Sequence, residues 1–178
     1  MMKPNNIMID LETMDLIPGA AIVSIGAVVF DPRCNIVTED TFYVELDWKA
    51  QGRSINDDTV EWWGRQPPKA KAALNGTTAL EEALDDLSFW IPPGASVWGN
   101  GPSFDISILE DAYHSLGEPT PWKFWNVYDC RTIKYLYESS RGGFDKKVGG
   151  NAHNALHDAK YQASYVCEMW KAILNKRK

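Results

Sequence analysis

Three apolar segments open the sequence, and turn-forming clusters separate them. The spacing of apolar residues predicts strands over Asn6–Leu11, Ala21–Phe30 and Thr41–Leu46, with turns at Pro18-Gly19 and Asp31-Pro32. Consecutive strands joined by short connections favour an antiparallel meander. The chain is therefore expected to begin with a sheet, which excludes an all-helical fold.

Helical patterns follow the three strands. They cover Asp57–Arg65, Pro67–Leu74, Thr78–Trp90 with Thr77 as its cap, Phe104–Leu116, Asp129–Tyr137 capped by Asp129, and Ala155–Leu174. The last is the clearest, because its apolar residues recur at the spacing of one buried helix face. A short buried strand is predicted over Ala95–Gly99. Strands first, then alternating helices and strands, predict an α/β domain with a mixed sheet.

Length and composition favour one ordinary globular unit. The 178 residues contain 44% apolar and 24% charged residues, with no repeat and no long linker, so we expect a single domain over residues 1–178. No apolar run reaches the ~20 residues of a membrane span, and the start lacks a signal-peptide pattern. We therefore expect no membrane partner and a cytoplasmic location. Cys34, Cys130 and Cys167 fit neither a disulfide framework nor a zinc pattern and are interpreted as reduced thiols.

The charge balance restricts how this chain could meet nucleic acid. With 24 acidic against 18 basic residues the formal charge is −6, which argues against binding by overall positive charge. An acidic chain can still act on phosphates if some carboxylates converge on divalent cations, because the metal ions then supply positive charge locally.

Two carboxylates of the first strand are the first candidates. Asp10 and Glu12 alternate with Ile9 and Leu11, so the period of two places both acids on one face of the strand. Neighbouring like charges repel unless a cation lies between them, which suggests a metal site. The alternative interpretation is that both acids face water at the end of the strand.

Two later segments add a third and a fourth acid. Asp105 follows a strand and a tight turn and is expected in the first turn of a helix, where an acid is also a common structural choice. Asp158 is expected near the start of the final helix, with Asn154 as its N-cap. Neither position identifies a metal ligand by itself.

A histidine precedes the final helix. His153 is five residues before Asp158, too far for the same helical face, so we place it on the preceding loop, where it can turn toward the carboxylate. His157 competes for this role but is expected inside the helix, and His114 lies in another helix. The segment Arg141–Asn151, with four glycines, is predicted to be a mobile loop that carries Lys146 and Lys147 as candidate phosphate contacts.

Together these segments resemble a known family. Asp10-Leu11-Glu12-Thr13, then Asn100 with Phe104-Asp105, then His153-x-Ala155-x-x-Asp158 resemble the three motifs of the DEDDh 3′-5′ exonuclease superfamily, the RNase T and DnaQ-like enzymes of the RNase H-like fold. The resemblance extends from Asn6 to Leu174. The Ile22–Ala27 strand and the Val60–Trp63 segment look most like stand-alone phage and prophage DexA-like exonucleases.

The resemblance is not complete. Gly101-Pro102-Ser103 makes the second motif one residue longer than the commonest spacing, which could shift the turn that presents Asp105. Asp129-Cys130 also stands where the family has an Asp-Thr pair. We therefore assign Asp129 to helix capping and leave it outside the site.

The resemblance implies a metal-dependent 3′-5′ exonuclease. Two divalent ions, Mg²⁺ or Mn²⁺, would be held by Asp10, Glu12, Asp105 and Asp158, with His153 as the general base for water. A neutral imidazole accepts the proton, so activity is expected to fall in acid, and the product is a nucleoside 5′-monophosphate. Expected substrate contacts are Thr13, Met14, Asn100, Phe104, Lys146 and Lys147.

The expected partner is the 3′ end of a single strand of DNA or RNA, and a homodimer is left open. Other functions weighed are an RNase H-type endonuclease, a non-catalytic nucleic-acid binder of the same fold and a metal-binding structural domain. The binder predicts loss of the acidic set, whereas all five motif positions are filled here. The sequence contains no motif that indicates contact with a 2′-hydroxyl group, so it does not distinguish a DNA substrate from an RNA substrate.

Overall fold

The fold is described from a computed structural model that covers residues 5–141, 143 and 153–174. The strands of this part of the chain are β1 (Asn6–Thr13), β2 (Ile22–Asp31), β3 (Ile36–Glu45), β4 (Ser96–Gly99) and β5 (Val127–Asp129). Its α-helices are α1 (Asp57–Gly64), α2 (Pro68–Lys71), α3 (Leu80–Trp90), α4 (Asp105–Ser115), α5 (Cys130–Arg141) and α6 (Ala155–Leu174). Short 3₁₀ turns occupy Ala72–Asn75 and Phe124–Asn126.

The strands form one mixed sheet in the order β3-β2-β1-β4-β5. β1 pairs antiparallel with β2, and β2 with β3, which confirms the predicted meander. β4 runs parallel to β1 and to β5. The α/β class and the mixed sheet predicted from the sequence are therefore confirmed. Because β1 and β4 are parallel, their carboxyl ends lie at the same end of the sheet. Ligands of α/β sheets commonly bind at this end.

The alternation of β1 directs its side chains to two different layers. Ile7, Ile9 and Leu11 pack in one core with α3 and α4, whereas Met8 packs in a second core with α6. Asp10 and Glu12 share the period of Met8 and so face the α6 layer, as the alternation predicted.

Gly26 in β2 allows α6 to begin directly on the sheet. It is the register partner of Asp10 on β1. A Cβ atom at Gly26 would lie 2.1 Å from the main-chain nitrogen of Leu156 and 2.2 Å from the carbonyl carbon of Ala155, both in the first turn of α6. Only a residue without a side chain permits this approach, which brings the start of α6 and Asp158 over β1.

Most predicted elements appear, with shifted ends. β5 was not predicted, because a strand of three residues has too little periodicity to be recognised. The predicted Thr77 cap is wrong: α3 begins at Leu80, and the residue before it, Ala79, makes no side-chain cap bond. Asp129 does cap α5, since its carboxylate accepts hydrogen bonds from the main-chain nitrogens of Arg131 and Thr132. None of the described helices is both long and apolar enough to cross a membrane.

Candidate active site

Three carboxylates converge where β1 meets α6. Asp10 and Glu12 reach the site from β1 and Asp158 from the first turn of α6, and each offers an oxygen within 4.8 Å of the other two. Oxygen ligands at such separations suit Mg²⁺ and Mn²⁺. The structure thus brings together three of the four acids that the sequence nominated as metal ligands.

Asp105 lies beside this trio, not within it. It begins α4 as predicted, and its Oδ1 accepts a hydrogen bond from the main-chain nitrogen of Leu11 at 3.1 Å. The side chain is buried, and its negative charge raises the pKa of Asp10. The fourth acid is therefore close enough to act on Asp10 electrostatically, while a main-chain bond orients its carboxylate.

Burial gives these acids a strong preference for a compensating cation. Desolvation, together with the negative charges of Asp158 and Asp105, raises the pKa of Glu12 to about 8. Desolvation also raises the pKa of Asp105 to about 6, and that of Asp10 well above its ordinary range. Without a cation the site holds protons, because buried like charges are unfavourable. Bound divalent ions would displace those protons and leave carboxylates as ligands.

Gln162 supports Asp10 from the next turn of α6. Its Nε2 donates a hydrogen bond to Oδ1 of Asp10 at 2.7 Å. This bond lowers the pKa of Asp10 against the larger effect of burial. The sequence analysis missed Gln162, although it lies four residues after Asp158 and thus on the same helical face.

His153 stands just before α6, as predicted. Its main-chain nitrogen donates to Oδ2 of Asp158 at 2.9 Å, and its φ of 68° lies in the left-handed region. Asn154 caps α6, because its Oδ1 accepts from the main-chain nitrogen of His157 at 3.0 Å. The imidazole of His153 lies edge-to-face on Trp62 of α1, with 4.8 Å between the ring centroids.

His157 lies near Asp158 but outside the cavity above the carboxylates. Its Nδ1 lies 3.6 Å from Oδ1 of Asp158 and has no hydrogen-bond partner in the described part of the chain. His153 lines the cavity above the carboxylates, whereas His157 is not among the residues lining that cavity. The geometry favours His153 over His157 as the group that meets a substrate.

The carboxylates open into a cleft of about 340 Å³, which we call the catalytic cavity. Its walls include Asp10, Glu12, Asp158, His153 and Asn100. The Oδ1 of Asn100 accepts a hydrogen bond from the hydroxyl of Tyr165 at 3.2 Å. Asn100, nominated from the sequence, therefore belongs to the wall of the cleft.

A second cavity of about 480 Å³ adjoins the first and shares Leu11 and Glu12 with it. Thr13 and Phe104, both nominated as substrate contacts, line this cavity together with Trp62. We call it the terminal cavity. Cavities that hold small ligands measure about 300–1,000 Å³, and aromatic walls suit a nucleobase.

The remaining nominated residues lie elsewhere. Met14 is 1% exposed and packs in the core with Trp63 and Ala21, so the structure gives it a packing role in place of the expected substrate contact. Lys146 and Lys147, with most of the predicted mobile loop, lie outside the described residues. Trp62, which lines the terminal cavity and touches His153, was quoted only for the family resemblance.

The fold of the chain is the fold of several solved nucleases. The chain superposes on cell-death related nuclease 4 (CRN-4) with a TM-score of 0.66 at 14% identity, covering 97% of this chain and 64% of that one. The nuclease domain of 3′hExo, a DEDDh family member bound to rAMP, gives 0.61 at 15% identity over 96% of this chain and 94% of that one. The Mg²⁺- and Mn²⁺-bound form of Pop2p from S. pombe gives 0.66 at 13% identity, covering 97% and 85%.

Sequence similarity narrows the class. Residues 5–170 match the family described as the 3′-5′ exoribonuclease Rv2179c-like domain, so the chain belongs to that family. The exodeoxyribonuclease of Enterobacteria phage T4 is 27% identical over 194 residues, covering 84% of this chain and 82% of the phage protein. The chain is thus a 3′-5′ exonuclease, and the resemblance to the DEDDh superfamily is confirmed.

Proposed function

We propose that this protein removes nucleoside 5′-monophosphates one at a time from the 3′ end of single-stranded nucleic acid, using two Mg²⁺ or Mn²⁺ ions. The observation that carries the proposal is the convergence of Asp10, Glu12 and Asp158 within 4.8 Å at a cleft that also contains a histidine. Asp105 would complete the ligand set from the start of α4.

The donor set fits hard divalent cations. Carboxylate oxygens are what Mg²⁺ and Mn²⁺ prefer, and the raised pKa of Glu12 reports the cost of leaving these charges uncompensated. When bound, the cations would stabilise negative charge that develops on the phosphate and on the leaving 3′ oxygen. The protein's own contribution is to hold the carboxylates in place.

His153 would accept the proton of the attacking water. Its main-chain bond to Asp158 and its ring contact with Trp62 hold it at the wall of the catalytic cavity. A positioned general base contributes roughly 10²–10⁴-fold to a rate. Water adds to phosphorus, the bond to the 3′ oxygen of the preceding nucleotide breaks, and that oxygen leaves with a proton from solvent.

The terminal cavity would take the last nucleotide. Trp62 and Phe104 offer faces for the base, and Glu12 lies where this cavity meets the catalytic cavity. Stacking on such side chains requires an unpaired base, which supports a single-stranded 3′ end.

A homodimer and a cytoplasmic location remain predictions. Sedimentation velocity measures whether the protein is a dimer.

The proposal is tested with 5′-labelled single-stranded DNA and RNA oligonucleotides of one sequence. We expect a ladder that shortens from the 3′ end, with loss of all activity in EDTA and recovery with Mg²⁺ or Mn²⁺. Asp10→Asn and Asp158→Asn are expected to fold and to lose nearly all turnover. Persistent activity after exhaustive chelation would contradict the two-metal proposal. Comparison of the two sugars measures the preference between DNA and RNA.

Circular single strands distinguish the alternatives. An RNase H-type endonuclease would cut them, whereas an exonuclease leaves them intact. A non-catalytic binder would retain both linear and circular strands without producing nucleotides.

A further inference from the structure

A third cavity adjoins the catalytic cavity and has no lining residue in common with the terminal cavity. It measures about 510 Å³ and shares three wall residues with the catalytic cavity, Asn100, Tyr161 and Tyr165. Its other lining residues all belong to α5: Arg131, Lys134, Tyr135 and Glu138. We call this third cavity the α5 groove. The three cavities therefore form one continuous path across the carboxylates.

The α5 groove has the side chains that a nucleic-acid strand needs. Arg131 and Tyr135 are four residues apart on one helical face, so a cation and an aromatic ring lie side by side. Tyr135 is 70% exposed, which leaves its ring free to stack on a base. Single-stranded nucleic acid is bound by this combination of positive charge for phosphates and aromatic faces for bases.

Arg131 is the cation of this groove that forms no ion pair in the described part of the chain, although its charge also acts on Asp105, whose pKa it lowers. Lys134 already pairs with Glu138 at 2.5 Å, whereas no carboxylate in the described residues forms an ion pair with the Arg131 guanidinium. The guanidinium packs on Gly101, where an added Cβ would lie 3.1 Å from its central carbon. Arg131 is thus fixed beside the turn that carries Asn100 and leads into Asp105.

The position of His153 sets the direction of the strand. In an in-line displacement the entering and leaving oxygens lie on opposite sides of phosphorus. His153 lines the catalytic cavity and contacts Trp62 of the terminal-cavity wall, so we place the attacking water on the terminal-cavity side. The leaving 3′ oxygen, and the nucleotides attached to it, must then lie toward Asn100 and Tyr165.

We infer that the α5 groove binds the nucleotides upstream of the scissile phosphate, with Tyr135 stacking on a base and Arg131 contacting a backbone phosphate. This inference rests on the proposed exonuclease function. It adds a second binding site for the same substrate, which explains how an acidic protein retains a strand while the terminal nucleotide is released.

The test compares a long substrate with a minimal one. The p-nitrophenyl ester of thymidine 5′-monophosphate fills the terminal and catalytic cavities but has no upstream nucleotides, whereas a single-stranded oligonucleotide of eight residues fills all three. The measured quantity is the ratio of kcat/KM for the oligonucleotide to kcat/KM for the ester. Tyr135→Ala is expected to lower this ratio roughly 5- to 20-fold through KM, and Tyr135→Phe to restore most of it.

Arg131→Gln tests the phosphate contact. It is expected to lower the same ratio and to reduce the slope of log kcat/KM against log salt concentration by about 0.7, the value for one phosphate contact to a single strand. Lys123→Gln removes one positive charge outside the three cavities and is expected to change the ratio less than 2-fold.

The outcomes separate the two proposals. If the wild-type protein cleaves neither substrate, the exonuclease proposal fails and the groove fails with it. If the wild type cleaves both substrates but Tyr135→Ala and Arg131→Gln leave the ratio unchanged, the groove assignment is wrong and the exonuclease proposal stands. A ratio that falls in both variants but not in Lys123→Gln supports the groove.

Discussion

The main-chain nitrogen of His153 and Oδ2 of Asp158 are joined by a hydrogen bond of 2.9 Å. The bond closes the turn that precedes α6 and holds His153 at a φ of 68°, a left-handed conformation that side-chain-bearing residues seldom adopt. A proposed base and a proposed metal ligand are therefore fixed relative to each other through the backbone, while the imidazole itself rests on Trp62.

This geometry predicts different effects for the two neighbouring histidines. His153→Ala is expected to lower kcat roughly 10²–10⁴-fold without loss of Mn²⁺ binding, because the carboxylates are unchanged. His157→Ala is expected to change kcat less than about 3-fold, since His157 does not line the catalytic cavity. Single-turnover rates at saturating Mn²⁺ on one single-stranded oligonucleotide measure both.

His153→Asn separates the imidazole from the backbone turn. Asparagine tolerates the left-handed conformation, so the bond to Asp158 should survive while the proton acceptor is lost. We expect His153→Asn to be as slow as His153→Ala. Near-wild-type rates in His153→Asn, or a larger loss at His157 than at His153, would overturn the assignment of the base.

The buried carboxylates predict an unusual pH dependence of stability in the metal-free protein. Burial raises the pKa of Glu12 from 4.5 to about 8, so the folded state holds a proton that the unfolded state has released across this interval. The free energy of unfolding should therefore fall as pH rises from 5 to 8, by roughly 2–4 kcal/mol. Urea titrations in EDTA at several pH values measure it.

Two comparisons test the source of that slope. Saturating Mg²⁺ is expected to raise stability most at pH 8, because the ligands are then deprotonated. Glu12→Gln removes the carboxyl whose pKa is about 8 and should make the metal-free profile less steep, while Asp10 and Asp105 still contribute. A metal-free wild type whose stability rises steadily from pH 5 to 8 would contradict the burial of these charges.

Gln162 is expected to tune metal affinity through Asp10. Gln162→Leu removes the 2.7 Å hydrogen bond that favours the ionised carboxylate and should weaken Mn²⁺ binding roughly 10- to 100-fold. Isothermal titration with Mn²⁺ measures the change without substrate. Ser164→Ala, on the same helix with its hydroxyl bonded to the Tyr161 carbonyl, serves as the control and should change the affinity less than 2-fold. Equal affinities for Gln162→Leu and wild type would show that the bond is not needed.

Trp62 lines the terminal cavity and also contacts His153, so its removal should affect both KM and kcat. Trp62→Ala is expected to raise KM roughly 5- to 100-fold by loss of stacking and to lower kcat because His153 loses its support. Trp62→Phe should retain most of both. Trp125→Ala, which removes a 63% exposed tryptophan outside the described cavities, is the matched control. An effect of Trp62→Ala no larger than that of the control would remove Trp62 from the site.

The sequence predicted what depends on local periodicity. The alternation in β1 correctly placed Asp10 and Glu12 on one face, and the capping preference of Asn154 correctly separated His153 from α6. The added residue in the second motif raised the question of where Asp105 points. The structure answers it with a long-range bond to Leu11, a contact between residues 94 positions apart that no local pattern reports.

Other features depend on the third dimension. Trp62 reaches His153 only because α1 folds back over the end of β1, and Tyr135 reaches the cleft only because α5 lies beside α6. Met14 shows the converse: it was expected among the substrate contacts, but its side chain is buried in the core with Trp63. β5 is held by pairing with β4, so its three residues needed no strand pattern of their own.

The contact between Gly26 and the start of α6 makes a residue remote from the substrate decisive for whether the enzyme works at all. A single methyl group there would collide with the backbone of Ala155 and Leu156, and the helix would have to lift, taking Asp158 with it. A random-mutagenesis screen for inactive clones should therefore recover substitutions at Gly26 alongside those at the acids themselves. The absence of a side chain at Gly26 therefore sets the distance between the carboxylates of β1 and Asp158 of α6.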